Sequence, residues 1–394
     1  MTHPTISLLP GHNRRLSSGH PWVYSNEIAM TPEAKALPPG TIITLNDEHG
    51  RGIATAIFNP HSLIAARILV HKPDAEIGAA FFAERLGKAL ALREVFFPEP
   101  HYRLIHAEAD GLPGLVIDRF GDTCVIQANS AGMALRMDDI VAALETVIAP
   151  ARIILRGDSA ARELEGIASE VRVIKGSPTG GIEVIENGAR FQVDPIEGQK
   201  TGWFFDHRPN RAFIKGIAGG RRVLDMYCYA GAFSIQAALG GASEVLGIDR
   251  SELALASATA AAIANGVAEK CHFLRGESFA EMERLAAEKQ LFDIVIVDPP
   301  AFVKSKKDLI VGLKGYRKMA RMAARLVKGG GFLLAASCSH NVSPGEFQEE
   351  VCRGVSEGGR TGRIVQTGGA GPDHPVHTHL PESAYLKNIV LQLD

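Results

Sequence analysis

The second half of this chain constrains its fold most. From about residue 195 onward, short apolar runs alternate with segments of helical period. Residues 222–226, 244–248, 272–275, 292–297 and 332–337 are predicted strands, and 233–239, 252–265, 279–289 and 315–327 are predicted helices between them. The 292–297 run is almost wholly apolar, as expected of a strand covered on both faces. Strands that alternate with helices return parallel to one another, so this half is predicted to be α/β, with a doubly wound parallel sheet. In such sheets the ligand lies beyond the carboxyl ends of the strands, where the strand order reverses. The residues that follow each strand are therefore the candidate site.

The first half reads differently. Length (394 residues) allows two or three domains, and 46% apolar with 22% charged residues is an ordinary globular balance. Residues 41–45, 52–58 and 63–70 are short apolar runs between turn residues, predicting a small all-β barrel over 1–75 with little helix beyond a turn near 22–28. A helical period takes over at 76–95. Strands at 102–107, 115–118, 123–128 and 152–155, with an amphipathic helix at 133–148, make 76–194 a separate α+β unit. Asn187-Gly188 between alternating runs at 182–186 and 189–193 predicts a hairpin, because both turn residues need positive φ. Residues 195–394 form the third unit, in which 358–375 reads as a glycine- and histidine-rich loop and 389–393 as an edge strand that could pair with a second copy.

No stretch gives about 20 uncharged apolar residues, and the start leads into no apolar leader, so neither membrane nor secretion is expected. Five scattered cysteines without a CxxC argue against disulfides and a zinc ribbon, and a reducing cytoplasm is the expected location. A net charge of −2 gives no global polyanion signature. Locally, residues 301–330 carry nine basic side chains against Asp308 alone. That segment is either a phosphate-binding face or a solvated helix face.

The first strand runs through Asp225 into Met226-Tyr227-Cys228-Tyr229-Ala230-Gly231-Ala232-Phe233. Small residues at a strand-to-helix turn let a ligand approach the backbone. The dinucleotide pattern GxGxxG is absent, which disfavours a nicotinamide oxidoreductase. Asp249 lies 24 residues beyond Asp225, the spacing of a carboxylate that accepts from ribose hydroxyls; it could equally cap the helix that Ser251-Glu252 opens. The fourth strand ends Asp298-Pro299-Pro300-Ala301-Phe302, where two prolines stiffen the turn and remove two donors. The next ends Ser337-Cys338-Ser339-His340. Cys338 is either a small buried apolar residue or a nucleophile facing a substrate. Cys228 is a rival thiol, and His340 is either a surface residue or a group that orients another. His374, His377 and His379 cluster near Asp373, but amid glycine and proline, so no metal is expected.

Together these segments resemble a class I S-adenosylmethionine-dependent methyltransferase, and more narrowly the bacterial large-subunit ribosomal RNA cytosine-5 methyltransferase I family. The resemblance covers nearly the whole chain. Gly19-His20-Pro21-Trp22-Val23-Tyr24 is similar to the opening of that family's RNA-binding PUA barrel. Ala107 to Leu115 and Asp118-Arg119-Phe120-Gly121-Asp122 resemble its central α+β domain. Gly198-Gln199-Lys200-Thr201-Gly202-Trp203-Phe204-Phe205-Asp206-His207-Arg208 resembles the segment lining its cofactor pocket. Tyr229 to Phe233, Asp298 to Phe302 and Ser337 to His340 complete the set.

The resemblance implies a C-terminal Rossmann-like methyltransferase domain with S-adenosyl-L-methionine as cofactor and ribosomal RNA as partner. It implies that Asp225 and Gly231 hold the methionine end, that Tyr227, Ala230 and Phe233 also bind the cofactor, and that Asp249 accepts from the ribose. Glu277 and Ser278 would sit by the adenine, where the family has an Asp, and Phe205, Asp206 and Arg208 would close the pocket. The implied reaction forms 5-methylcytosine. Carbon 5 of cytosine is a poor nucleophile until a thiolate adds to carbon 6, which is the role expected of Cys338. Asp298 and the Pro299 backbone would bind the ring, with Asp298 also near the cofactor. Pro300 and Phe302 would contact the extruded base, and Lys304, Lys306 and Lys307 the phosphates. Rival functions are an amino-group methyltransferase, which needs no cysteine, and a non-catalytic RNA-binding scaffold, which would bind no cofactor.

Overall fold

The computed structural model describes residues 2–196, 198 and 201–394. Gln199 and Lys200 of the pocket-lining segment lie outside the described residues. The chain divides into two compact units. One holds everything up to Ile182 with Val193–Trp203 and Pro372–Ser383, and the other holds Glu183–Gln192, Phe204–Gly371 and Ala384–Asp394.

The second unit is built on a seven-stranded sheet ordered Cys271–Arg275, Glu244–Asp249, Arg222–Met226, Phe292–Val297, Val327–Ser337, Lys387–Leu393, Gly362–Gly368. The first five run parallel and the last two pair antiparallel. Chain order reverses between Arg222–Met226 and Phe292–Val297, which puts the Asp225 and Asp298 loops at the switch point. Leu224, Val295, Val297 and Leu333 are fully buried in the sheet, so their apolar area fixes the register that aligns those loops.

Three expectations for this unit need correction, and one helix was not expected. The basic helix is Leu309–Ala324, and the strand after it already begins at Val327. Pro344–Glu357 is a helix whose cap was legible: Ser343 Oγ accepts from Glu346 N, and Glu346 reaches back to Ser343 N. Within the stretch read as a loop, Gly362–Gly368 is a strand, because ladder bonds to Lys387–Leu393 outweigh its glycine content. Lys387–Leu393 is itself internal, flanked on both sides, so the edge expected to pair with a second copy is already taken.

The first unit carries two five-stranded sheets. One joins Thr5–Ser7, Thr41–Asn46, Gly52–Phe58, Ala66–Val70 and Trp22–Val23; the other spans His101–His106 to Glu170–Lys175. Arg67 ties them by bridging Glu108 and Glu165, each at 3.1 Å. Two short helices, Asn13–Ser17 and Pro32–Ala36, escape the all-β reading, the second capped by Thr31. The helix expected over 133–148 is two, Ala131–Leu135 and Met137–Val147, divided at Arg136. Asp373 and His374 are buried, with His374 Nδ1 2.9 Å from Asp373 Oδ1 and Arg103 N donating to Asp373 Oδ2 at 3.1 Å.

Ile182–Glu186 and Ala189–Val193 pair as a ribbon, with Asn187 at φ 51° and Gly188 at φ 80°, as the hairpin reading requires. Among the described residues no helix is long and apolar enough to cross a membrane.

Candidate active site

The loop after Arg222–Met226 is strained. Tyr227 (φ 63°) and Tyr229 (φ 48°) are left-handed without being glycine, and Gly231 follows at φ 73°. Each such tyrosine costs on the order of 1–2 kcal/mol, which surrounding structure must offset. A Cβ at Gly231 would sit 2.9 Å from the Ala258 Cβ, so only glycine fits there. The strain turns the loop backbone into a cradle ahead of helix Ala232–Leu239. Asp225 is buried beneath it and accepts from Ser234 N at 3.0 Å and Ser234 Oγ at 2.6 Å. Burial pushes its pKa up to about 7, and the Asp298 carboxylate adds to the rise.

Asp249 accepts from Tyr229 N at 3.0 Å and Ser251 N at 2.8 Å, so it fastens the strained loop to its own strand. The helix cap is Ser251, whose Oγ accepts from Ala254 N, which leaves Asp249 to the loop. Ala230 and Phe233 are buried in the cradle wall. Ser278 is buried at the next helix start, while Glu277 before it is exposed. Burial pushes the Tyr227 phenol up to about 12, so it stays protonated.

The turn at 205–208 approaches from the other side. His207 is buried, and its Nε2 lies 3.2 Å from Asp298 Oδ2. Asn210 Nδ2 sits 3.0 Å from His207 Nδ1 and orients the ring. Asp206 accepts from Tyr385 Oη at 2.5 Å. The His207 and Phe233 rings are 5.4 Å apart, and Phe204 meets Tyr229 at 5.5 Å, so turn and cradle pack together. Phe205 is fully buried, and Arg208 lies over its ring with its Nε 3.8 Å from Glu186.

The thiol stands on the neighbouring strand. Val297 pairs with Ala335, so Asp298 and Cys338 both follow the carboxyl ends of adjacent parallel strands. Cys338 is half-buried. Tyr316 bridges its two neighbours: Ser337 Oγ donates to the phenol oxygen at 2.8 Å, and the phenol pairs with Ser339 Oγ at 2.7 Å. Val303 N also donates to Ser339 Oγ, at 3.2 Å, joining the proline turn to the cysteine loop. Lys387 Nζ donates to the Ser339 and Val342 carbonyls at 2.6 and 2.7 Å. The rival, Cys228, is buried, and that burial holds its pKa well above the ordinary thiol value, which disfavours it as a nucleophile. His340 is exposed and stacks on Tyr385, ring centroids 5.1 Å apart.

Beyond Asp298, Pro299 is buried and Pro300 exposed. Phe302 is half-buried in an aromatic stack, 6.4 Å from Phe279 and 4.8 Å from Tyr316. The basic segment is divided. Arg317 binds Glu350 at 2.6 Å and Lys328 binds Asp293 at 3.0 Å, so those charges are spent internally. Lys304, Lys306 and Lys307 are exposed directly after the proline turn. The sequence reading did not single out His207 as an Asp298 partner, nor Tyr316, Tyr385 or Lys387 at all. Lys387 alone left a trace, as a cation heading the apolar run that ends at Leu393.

Comparison with known proteins fits this geometry. The S-adenosylmethionine-dependent methyltransferase family pattern matches residues 148–368, and a PUA-like domain pattern matches 6–71. The ribosomal RNA large subunit methyltransferase I of Photobacterium profundum is 34% identical over 388 residues, covering 97% of this chain and 98% of that protein. The Escherichia coli protein of the same name is 32% identical, covering 98% and 99%. A solved Streptococcus mutans protein assigned to the SAM-dependent methyltransferases shares the fold at TM-score 0.83 and 20% identity, over 99% of this chain and all of that one. S-adenosylmethionine is thus the cofactor, and a strained backbone cradle between two carboxylates suits a nucleoside with a cationic tail. The chain belongs to the ribosomal RNA large subunit methyltransferase I family of S-adenosylmethionine-dependent methyltransferases.

Proposed function

We propose that this protein forms 5-methylcytosine in large-subunit (23S) ribosomal RNA through a covalent adduct with Cys338. The observation that carries the reading is a half-buried thiol past the end of the strand next to that of Asp298. In this reading 1–75 is the RNA-binding barrel, 76–194 the central domain and 195–394 the catalytic domain, acting in the cytoplasm. The barrel adds affinity and position rather than chemistry.

Bound S-adenosylmethionine supplies an electrophilic methyl group. Asp225, Tyr227, Ala230, Gly231 and Phe233 hold its amino-acid end, Asp249 its ribose, and Glu277 and Ser278 border its base. Phe205, Asp206 and Arg208 close that side. The target cytosine is extruded, at a cost of a few kcal/mol. Asp298 and the Pro299 backbone hold its ring nitrogen and amine, Pro300 and Phe302 flank it, and Lys304, Lys306 and Lys307 meet phosphates. The Cys338 thiolate adds to carbon 6, which makes carbon 5 nucleophilic toward the methyl group that bound S-adenosylmethionine would supply, the sulfonium leaving as S-adenosylhomocysteine. Loss of the carbon-5 proton to a base then expels the thiolate and restores the aromatic ring.

RNA containing 5-fluorocytidine tests this directly, because fluorine cannot leave carbon 5 as a proton. The wild type with cofactor should trap as a covalent complex, and Cys338→Ala should not. Full activity in Cys338→Ala, with label on an exocyclic nitrogen, would replace this reading by amino-group methylation.

A further inference from the structure

Lys387 is a buried cation, 6% exposed, and among the described residues it makes no ion pair with a carboxylate. Burying an unpaired ammonium costs several kcal/mol. Two carbonyls offset part of that cost, those of Ser339 and Val342. The backbone of Lys387 pairs with Ser337 in the antiparallel ladder. Cys338 is therefore flanked by two residues that both engage Lys387, Ser337 through its backbone and Ser339 through its ammonium. Burial lowers the lysine pKa to about 8, and Cys338 is the first group that counters this.

We propose that Lys387 is a positioning residue for Cys338: it clamps the 337–342 loop and supplies the positive charge that favours the thiolate. The inference rests on Cys338 being the nucleophile. The thiol proton leaves to bulk water while Lys387 keeps its own, so one buried charge becomes a neutral pair. Among the described residues, the other groups that face this pair are engaged elsewhere or neutral. Glu346 faces Lys387, but its carboxylate is engaged by Ser343 N and Oγ. Tyr316 faces Cys338, and burial raises its phenol pKa, which keeps it neutral. His340 is turned onto the Tyr385 ring, and Tyr385 donates to Asp206.

Alkylation by iodoacetamide, read at the Cys338 peptide by mass spectrometry across pH, tests the inference. The half-buried Cys352 is the internal control. At pH 7 Cys338 should react about ten-fold faster in the wild type than in Lys387→Met, the effect of a one-unit shift in thiol pKa. Lys387→Arg should stay within about two-fold of the wild type, since the charge is kept. Equal rates in the wild type and a Lys387→Met that still binds S-adenosylmethionine overturn the inference, as does Lys387→Arg reacting as slowly as Lys387→Met. Should Lys387→Met fail to fold, the wild-type profile decides: a midpoint below about 8.5 supports the coupling, and one at or above it refutes it. None of these measurements needs RNA. Retained methylation by Cys338→Ala would remove the nucleophile reading without moving the alkylation rates.

Discussion

His207 Nε2 lies 3.2 Å from the Asp298 carboxylate, and this pair joins the turn before helix Arg208–Ile217 to the proline turn after the fourth strand. Burial opposes a charge on His207, but Asp298 and then Asp206 outweigh it and raise its pKa above 6.5. Such a pair stabilises fully below pH 6.5, and its contribution fades as pH climbs through the raised value. His207→Gln should therefore be about 2 kcal/mol less stable than wild type at pH 6, a discounted figure because Asp298 is partly exposed. The deficit should close by pH 9 in denaturant titrations. A deficit equal at both values would mean that packing, not charge, is what the histidine contributes.

Asp225 also holds its proton more tightly in the fold, but its protonated form is the neutral one. Burial first, and Asp298 next, raise its pKa to about 7, so the fold favours its protonated form. That advantage is complete below the unfolded value near 4 and is lost as pH rises to about 7, where the buried carboxylate must ionise. Asp225→Asn removes the ionisation. Its thermal stability relative to the wild type should improve from pH 5 to pH 8, while cofactor affinity falls at least ten-fold by calorimetry. A constant difference in stability would contradict the assigned titration.

Tyr316 holds the serines on both sides of Cys338. Tyr316→Phe keeps the ring in its stack but leaves two buried hydroxyls short of a partner, at about 1–3 kcal/mol for the pair. The expected result is a lower denaturation midpoint together with slower methylation. Unaltered turnover would show that the cysteine loop holds its shape without the bridge.

Replacing Lys304, Lys306 and Lys307 together by alanine should weaken RNA binding without changing stability or cofactor affinity. With each lysine on one phosphate of a single strand, the slope of log affinity against log salt should fall by about 2. Anisotropy titrations across ionic strength measure it, and an unchanged slope would take these lysines out of the RNA path.

The central strands were legible because each is a short, strongly apolar run ending at polar residues, as at Val297-Asp298 and Ala336-Ser337. The hairpin at Asn187-Gly188 was legible because its backbone demands those residue types. The strand Gly362–Gly368 was not, since its stability comes from a partner some 25 positions away rather than from its own composition. The site divides in the same way. Asp225, Asp249, Asp298 and Cys338 announce themselves by ending strands. His207, Tyr316, Tyr385 and Lys387 reach the same place from a turn, a helix and the start of the last strand in chain order, and of these only Lys387, heading an apolar run, leaves a local mark. Their roles exist only once distant segments meet.

The internal position of Lys387–Leu393 carries a consequence for biogenesis. Among the strands of this sheet it is the last to be translated, yet it inserts between two that were made earlier. A nascent chain halted before Tyr385 would hold the cofactor loops and the cysteine, but neither the phenol on Asp206 nor the ammonium behind the thiol. The clamp on the cysteine loop would then form only once the strand translated last in this sheet takes its internal place.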